Sequence, residues 1–268
     1  MSAVSDIRWA LVTGGSSGIG LAFSRQLAEE GWSLALVGNR AEELSAASGA
    51  LLREFGGKDA AMLVETLCID LTETGAAERV LAWCDGLGLE PELLVNDAGM
   101  FFMEYLEPGN LGKARAMMRL HIEALTELCI LFGSRMKERG TGQIINLSSM
   151  TARIPSPGIA VYSASKSYVK SFSRGLSYEL RPYGVRVLAV CPSAIDTGLY
   201  PLGDGLRKFL RCIGVLRSPE WLVRRSLKAL RHGRRCVSPG VTNFLVPALV
   251  ALLPARLIDY LGLRWIKR

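Results

Sequence analysis

The stretch Trp9-Ala10-Leu11-Val12-Thr13-Gly14-Gly15-Ser16-Ser17-Gly18-Ile19-Gly20 constrains the fold most. An apolar run passes through a glycine-rich turn into a helix-like segment, Leu21 to Glu30, that stops at Gly31. Strand, glycine turn and helix in that order begin a βα unit of the kind that builds parallel sheets. The glycines let the chain turn tightly and let a pyrophosphate approach the main chain. The helix start then offers free N–H groups and the positive end of its dipole. The spacing is T-G-x-x-x-G-x-G, which differs from the common G-x-G-x-x-G fingerprint of dinucleotide sites.

The rest of the chain alternates in the same way. Strands are expected at Ser33–Gly38, about 62–69, Leu93–Asn96, Gln143–Leu147, Val185–Cys191 and near Arg235–Ser238. Helices are expected at Ala41–Phe55, near Thr74–Cys84, as one long helix near Leu111–Arg139, and after strand five. This is an α/β chain with a Rossmann-like, doubly wound parallel sheet of seven strands. Right-handed crossovers give the order 3-2-1-4-5-6-7. We expect one domain over residues 1–240 and an apolar, basic extension over 241–268. A chain of 268 residues with 49% hydrophobic content can bury such a core.

A second, distant motif supplies chemistry. Tyr162 and Lys166 lie four apart, on one face of a helix that no glycine or proline interrupts between Ala160 and Arg174. Ser149 stands thirteen residues before the tyrosine, at the end of the apolar run Ile144-Ile145-Asn146-Leu147. A free phenol has a pKa of about 10 and is a poor base at neutral pH. A nearby ammonium favours the phenolate and lowers that value. Such a pair can pass a proton to or from a substrate oxygen, and Ser149 can hold that oxygen by a hydrogen bond. On its own, Y-x-x-x-K is more often an ordinary amphipathic helix; joined to the glycine loop and the serine, it is not.

With these residues in place the chain resembles the short-chain dehydrogenase/reductase family over roughly residues 7 to 240. The resemblance implies cofactor contacts at Gly14, Ser16, Ser17, Gly18, Ile19 and Gly20. Asp70, in Cys68-Ile69-Asp70-Leu71, resembles the residue that contacts the adenine, with Leu71 beside it. Asn96-Asp97-Ala98-Gly99 is similar to the family's N-N-A-G, which places Asn96, Ala98 and Gly99 at the cofactor. Pro192-Ser193-Ala194-Ile195-Asp196-Thr197 resembles P-G-x-I-x-T, which implies Pro192, Ile195 and Thr197 around the nicotinamide. The implied reaction moves a hydride between nicotinamide C4 and a carbonyl carbon. Tyr162 carries the proton, Ser149 polarises the oxygen, and Lys166 lowers the tyrosine pKa and holds the nicotinamide ribose. The resemblance also implies a homo-oligomer, dimer or tetramer.

The chain departs from the pattern in three places. Ser193 stands for a glycine and restricts the backbone slightly. Asp97 stands for an often-varied asparagine and is given little weight. His121 stands where the fourth catalytic residue, an asparagine that holds a relay water, is expected. A histidine can hold that water and titrates near neutral pH; it can equally be a core histidine satisfied by local hydrogen bonds.

The end of strand two, Gly38-Asn39-Arg40, has no acid to bind a ribose 2′-hydroxyl. Arg40 can pair with a 2′-phosphate, so NADP(H) is expected to be preferred, with NAD(H) as the alternative. The six cysteines show no C-x-x-C pair and read as reduced thiols of a cytoplasmic protein. His121 and His232, the only histidines, have no acidic cluster beside them, so no metal is expected. No secretory signal is read at the N-terminus.

Charge is placed unevenly. Residues 205–268 hold 14 Lys or Arg against Glu220 and Asp259, a net of +12, although the whole chain is +7. Arg224, Arg225, Lys228, Arg231, Arg234 and Arg235 cluster there, followed by the uncharged run from Cys236 to Ala255. Three prolines and several polar residues make that run unsuited to spanning a bilayer, which takes about 20 apolar residues. It can pack on the subunit or its dimer mate. It can also lie on an anionic membrane, peripheral at the inner face, with Arg256, Arg264, Trp265, Lys267 and Arg268 at the headgroups. Basic residues interleaved with apolar ones, without a recognition module, argue against nucleic acid.

Met100, Phe101, Phe102 and Met103, with Ile195, Leu199, Tyr200, Leu202, Leu206, Phe209 and Leu210, suggest an apolar pocket and a hydrophobic small-molecule substrate. The region around Pro157–Tyr162 and the basic apolar tail resemble the branch of long-chain 3-oxoacyl, 3-ketosphinganine and 17β-hydroxysteroid reductases. The expected function is NADP(H)-dependent oxidoreduction of a ketone or secondary alcohol on a lipid-like molecule. The alternative is a catalytically silent nucleotide sensor or scaffold with the same fold.

Overall fold

The computed structural model describes residues 7–56, 62–154, 156–197, 205, 207–208, 216–254 and 256–257. Seven parallel strands form one sheet in the order β3-β2-β1-β4-β5-β6-β7. They are β1 (Trp9–Thr13), β2 (Ser33–Gly38), β3 (Val64–Cys68), β4 (Pro91–Asn96), β5 (Gly142–Leu147), β6 (Val185–Val190) and β7 (Cys236–Val237). Order and direction are those expected from the crossovers. β3 is shorter than expected.

The central strands are apolar at consecutive positions because helices cover both faces of the sheet. Leu11, Val37, Leu94, Ile144 and Val187 face one layer. That layer comprises α3 (Ala76–Gly86), α5 (Leu125–Arg139) and α6 (Ala160–Leu180), which contribute Val80, Leu128, Phe132, Val169 and Leu176. Val12, Leu36, Val95, Ile145 and Leu188 face the other. There α1 (Gly18–Glu29), α2 (Ala41–Phe55) and α7 (Pro219–Arg231) bring Phe23, Leu27, Leu44, Leu51, Leu222 and Leu227.

The long helix expected over 111–139 is interrupted. α4 (Leu111–Met118) passes into a wider π turn, Arg119–Ala124, before α5 begins. His121 lies in that turn. Such turns are rare and gather at functional sites; apolar spacing alone does not reveal one.

After β7, the chain forms α8 (Thr242–Leu252) with Pro247 inside it. Among the described residues, no helix is long and apolar enough to cross a membrane. α8 contacts the 3-10 turn Met150–Arg153 that follows β5, so it sits at the carboxyl end of the sheet. Its apolar residues face outward: Phe244, Leu245, Leu249 and Leu252, with Val241 just before the helix, are all more than 60% exposed. Arg264, Trp265, Lys267 and Arg268, along with Leu199, Tyr200, Leu202, Leu206, Phe209 and Leu210, lie outside the described residues.

Candidate active site

A cavity of about 500 Å³ opens at the carboxyl ends of the strands, where open α/β sheets place their ligands. Its floor is the glycine turn between β1 and α1. Gly14 has φ +69°, and a Cβ there would stand 3.0 Å from the Ala98 nitrogen. A Cβ on Gly20 would stand 2.2 Å from the Gly14 carbonyl oxygen. The loop therefore closes directly on the start of α1 and leaves a bare backbone cradle. Thr13, nearly fully buried, accepts hydrogen bonds through Oγ1 from the nitrogens of Asp97 (3.2 Å) and Ala98 (3.1 Å). That bond joins the glycine turn to the Asn96–Gly99 turn.

Gly14, Ser17, Gly18, Ile19, Arg40, Ala98, Gly99, His121, Ser149, Tyr162, Lys166, Pro192, Ile195 and Thr197 all line this cavity. Five residues named from the sequence do not. Ser16 lies near the end of β2 beside Gly38. Gly20 lies inside α1, Leu71 is in the core, and Asn96 is buried beneath the site. Asp70 is exposed, and its Oδ1 accepts from the Thr72 nitrogen at 2.8 Å.

Ser149 ends the β5 connection as the cap of the following 3-10 turn, and its Oγ accepts from the Thr151 nitrogen at 3.1 Å. With that lone pair engaged, its O–H is left to donate into the cavity. Tyr162 and Lys166 sit in the first two turns of α6 and are both buried. Lys166 Nζ donates to the Leu147 carbonyl at 2.9 Å and stands 5.8 Å from the Tyr162 ring centroid. Phe101 meets the tyrosine edge-to-face at 5.0 Å.

Burial pushes the Lys166 amine down to about 8, against the pull of Asp97. Burial also raises the Asp97 carboxyl to about 7, opposed by Lys166 and by a hydrogen bond from the Gly20 backbone. Asp97, given little weight in the sequence, is thus the acidic group paired electrostatically with the site's lysine at the start of α1. Its clue was the one negative charge placed inside an otherwise neutral turn.

His121 is almost fully buried and both of its ring nitrogens are engaged. Nε2 accepts from the Met100 nitrogen at 3.1 Å, which leaves the proton on Nδ1 to face Ser165 Oγ at 2.9 Å. Ser165 Oγ donates onward to the Tyr162 carbonyl at 2.8 Å. Burial, with Lys166 adding to it, lowers the imidazole to about 2. Of the two roles left open by the sequence, the geometry favours a core histidine satisfied by local hydrogen bonds: burial disfavours the charged ring, and both nitrogens have protein partners. The ring fastens the π turn to the Gly99–Met100 segment and to α6.

Beneath the site, Asn96 Nδ2 donates to Asn146 Oδ1 at 2.9 Å, and Asn146 Nδ2 donates to Ser173 Oγ at 2.9 Å. Ser148 Oγ donates to the Lys166 carbonyl at 2.7 Å. These partners are far apart in sequence, and only the serine pair at the end of β5 hinted at them. Arg40 reaches the cavity but is ion-paired with Glu43 at 2.6 Å. Among the described residues, no group of three His, Cys, Asp or Glu side chains could hold a metal.

The chain matches the short chain dehydrogenase family over residues 8–201 and belongs to that family. It is an oxidoreductase acting on CH–OH or C=O groups with a nicotinamide dinucleotide. It is 29% identical over 252 residues to 17-beta-hydroxysteroid dehydrogenase type 3 of Danio rerio, a match covering 92% of this chain and 77% of that one. It is 34% identical over 197 residues to the very-long-chain 3-oxoacyl-CoA reductase of Anas platyrhynchos, covering 70% of this chain but only 60% of that protein. Among solved structures, a short-chain dehydrogenase from Sphingobium yanoikuyae in complex with NADPH superposes with a TM-score of 0.76 at 26% identity, covering 93% of this chain and 97% of that one.

Proposed function

We propose that the chain is an NADP(H)-dependent reductase or dehydrogenase of a ketone or secondary alcohol on a hydrophobic, lipid-like molecule. The observation that carries this reading is the meeting of Ser149, Tyr162 and Lys166 in the cavity whose floor is the glycine cradle. The cradle fits a dinucleotide: bare glycine backbone and the N-terminus of α1 suit a pyrophosphate, and Thr197, another lining residue, stands directly beside Gly18. When bound, the nicotinamide supplies or takes the hydride.

The chain's own residues do the remaining work. In the reducing direction Ser149 donates its O–H to the carbonyl oxygen and fixes it near Tyr162. The Tyr162 phenol gives that oxygen its proton as the carbonyl carbon gains the hydride, completing the alcohol. The Lys166 charge favours the phenolate left behind, and the Leu147 carbonyl holds the amine in place. Oxidation reverses each step.

Arg40 supports a preference for NADP(H), since β2 ends without an acid. Phe101, Phe102 and the exposed Met103 beside the site support an apolar substrate, as do the names of the relatives. The outward stripe of α8 supports contact with an anionic bilayer surface, with Arg153 and Arg256 as nearby cations. We further assign a homo-oligomeric state, residues 1–240 as the catalytic domain and residues 241–268 as the extension.

A screen of long-chain 3-keto, sphingoid and steroid substrates with NADPH and NADH tests the reading. Turnover on a lipid-like ketone, faster with NADPH, is expected. Turnover confined to small polar ketones would overturn the substrate class, and equal affinities for the two cofactors would overturn the preference. Co-sedimentation with phosphatidylglycerol vesicles, weakened by salt, checks the membrane contact. No binding at low salt would leave α8 as a surface for protein.

A further inference from the structure

A second cavity, of about 480 Å³, opens at the amino end of the sheet, among the start of β6, the end of α6 and the turn between α7 and β7. Along α6, Arg181 stands fifteen residues beyond Lys166, or about 22 Å at 1.5 Å per residue. The two cavities are therefore separate. Arg181, Arg186, Arg231, Arg234 and Arg235 line the second one, with His232, and no described carboxylate does. Arg231 pairs with Glu30; the other four arginines make no ion pair among the described residues.

The local backbone fixes this display. Gly233, at φ +66°, ends α7, and the Arg234 nitrogen bonds to the Ala229 carbonyl at 3.0 Å. That is a left-handed helix cap, and it delivers Arg234 and Arg235 to the cavity wall. The carboxyl ends of α6 and α7 both lie here, and their negative dipole ends account for a cation or two. They do not account for two buried donors left without partners. Ser177 is only 3% exposed and lines the cavity, and its Oγ meets no hydrogen-bond partner. Arg235 Nε is likewise buried and unpaired, while its guanidinium lies 4.2 Å from the Tyr178 ring centroid. Buried donors are normally satisfied.

We propose that this cleft is a binding site for a phosphate-bearing anion. Guanidinium forks match phosphate oxygens two at a time. Stacking on Tyr178 holds one fork in place, and Ser177 donates to a further oxygen. The volume admits more than a single phosphate group, so a diphosphate or a phosphorylated headgroup is accommodated.

Titration calorimetry with inorganic pyrophosphate, on protein saturated with NADP⁺ so that the glycine loop is occupied, tests this. A parallel arm measures co-sedimentation with phosphatidic acid vesicles against phosphatidylcholine. Arg186 and Arg234 are both exposed, so the R186Q/R234Q pair should fold normally while weakening binding by about tenfold or more. Ser177→Ala gives a second, milder loss, and Arg25→Gln on α1 should change nothing. Pyrophosphate binding lost in the pair identifies a free phosphate ligand. Vesicle binding lost in the pair, without pyrophosphate binding, identifies a lipid headgroup. No binding in either arm, or binding that the substitutions leave unchanged, overturns the proposal.

Discussion

The two ends of α6 hold positive charge in opposite ways. At its start, Lys166 is buried, bonded to a carbonyl and pushed down to about 8. At its far end the arginines of the second cleft are mostly exposed. A buried ammonium can lose its charge near the working pH, which suits a group that must tune a proton donor. A guanidinium stays charged at any physiological pH, which suits a group that only has to hold an anion. The helix thus runs from a switchable cation at the proton-transfer site to a cleft whose fixed cations come from the segments packed around its end, β6 and the turn between α7 and β7.

Five substitutions at four positions probe this contrast, from the largest effect to the smallest. Tyr162→Phe should lower the rate by about 10² to 10⁴ with cofactor affinity nearly intact; a variant keeping a tenth of the rate would show that another group carries the proton. Lys166→Arg should cost roughly ten- to a hundredfold, the weight of a charge-assisted bond at about 1.5–3 kcal/mol. In the parent enzyme, the reduction rate should fall above about pH 8, as Lys166 loses the charge that favours the phenolate. The arginine variant should lack that limb, and its persistence in a pH–rate profile would dissociate the limb from Lys166.

His121→Leu leaves the Met100 N–H and Ser165 without their ring partner, so stability should drop by about 1–3 kcal/mol. Because the ring is neutral throughout, the profile from pH 6 to 9 should keep its shape. Loss, in the leucine variant, of a limb near pH 6 to 7 that the parent enzyme shows would restore a proton role to the histidine. His121→Asn should be milder, since an amide can satisfy one of the two partners. Glu43→Gln frees Arg40 from an exposed pair worth about 0.2–1 kcal/mol and should tighten NADPH binding by up to about fivefold. Fluorescence titration measures this, and an unchanged affinity would remove Arg40 from cofactor selection.

The sheet order was legible because each strand-to-strand connection is long enough to need a right-handed crossover. The positions of Tyr162, Lys166 and Ser149 were legible because helix period and strand end are local properties. The role of His121 was not, since its partners are 21 and 44 residues away and the π turn leaves no apolar signature. Asp97 looked like a neutral replacement until the fold placed it against the start of α1. The charge tally drew the basic residues and the apolar tail into one surface. The fold separates them, with α8 at the carboxyl end of the sheet and Arg231–Arg235 at the other, joined there by Arg181 and Arg186 from distant segments.

The buried amides of Asn96 and Asn146 have a consequence for assembly. They are direct partners across β4 and β5. Strands buried on both faces are apolar at nearly every position, so hydrophobic burial alone does little to tell one alignment from the next. A pairing slipped by a single residue would leave each amide among leucines and isoleucines without a partner. The pair therefore acts as a key that admits one alignment of the central strands. An N96L/N146L variant should lose refolding yield more than equilibrium stability, as chains settle into shifted pairings that the wild-type sequence rejects.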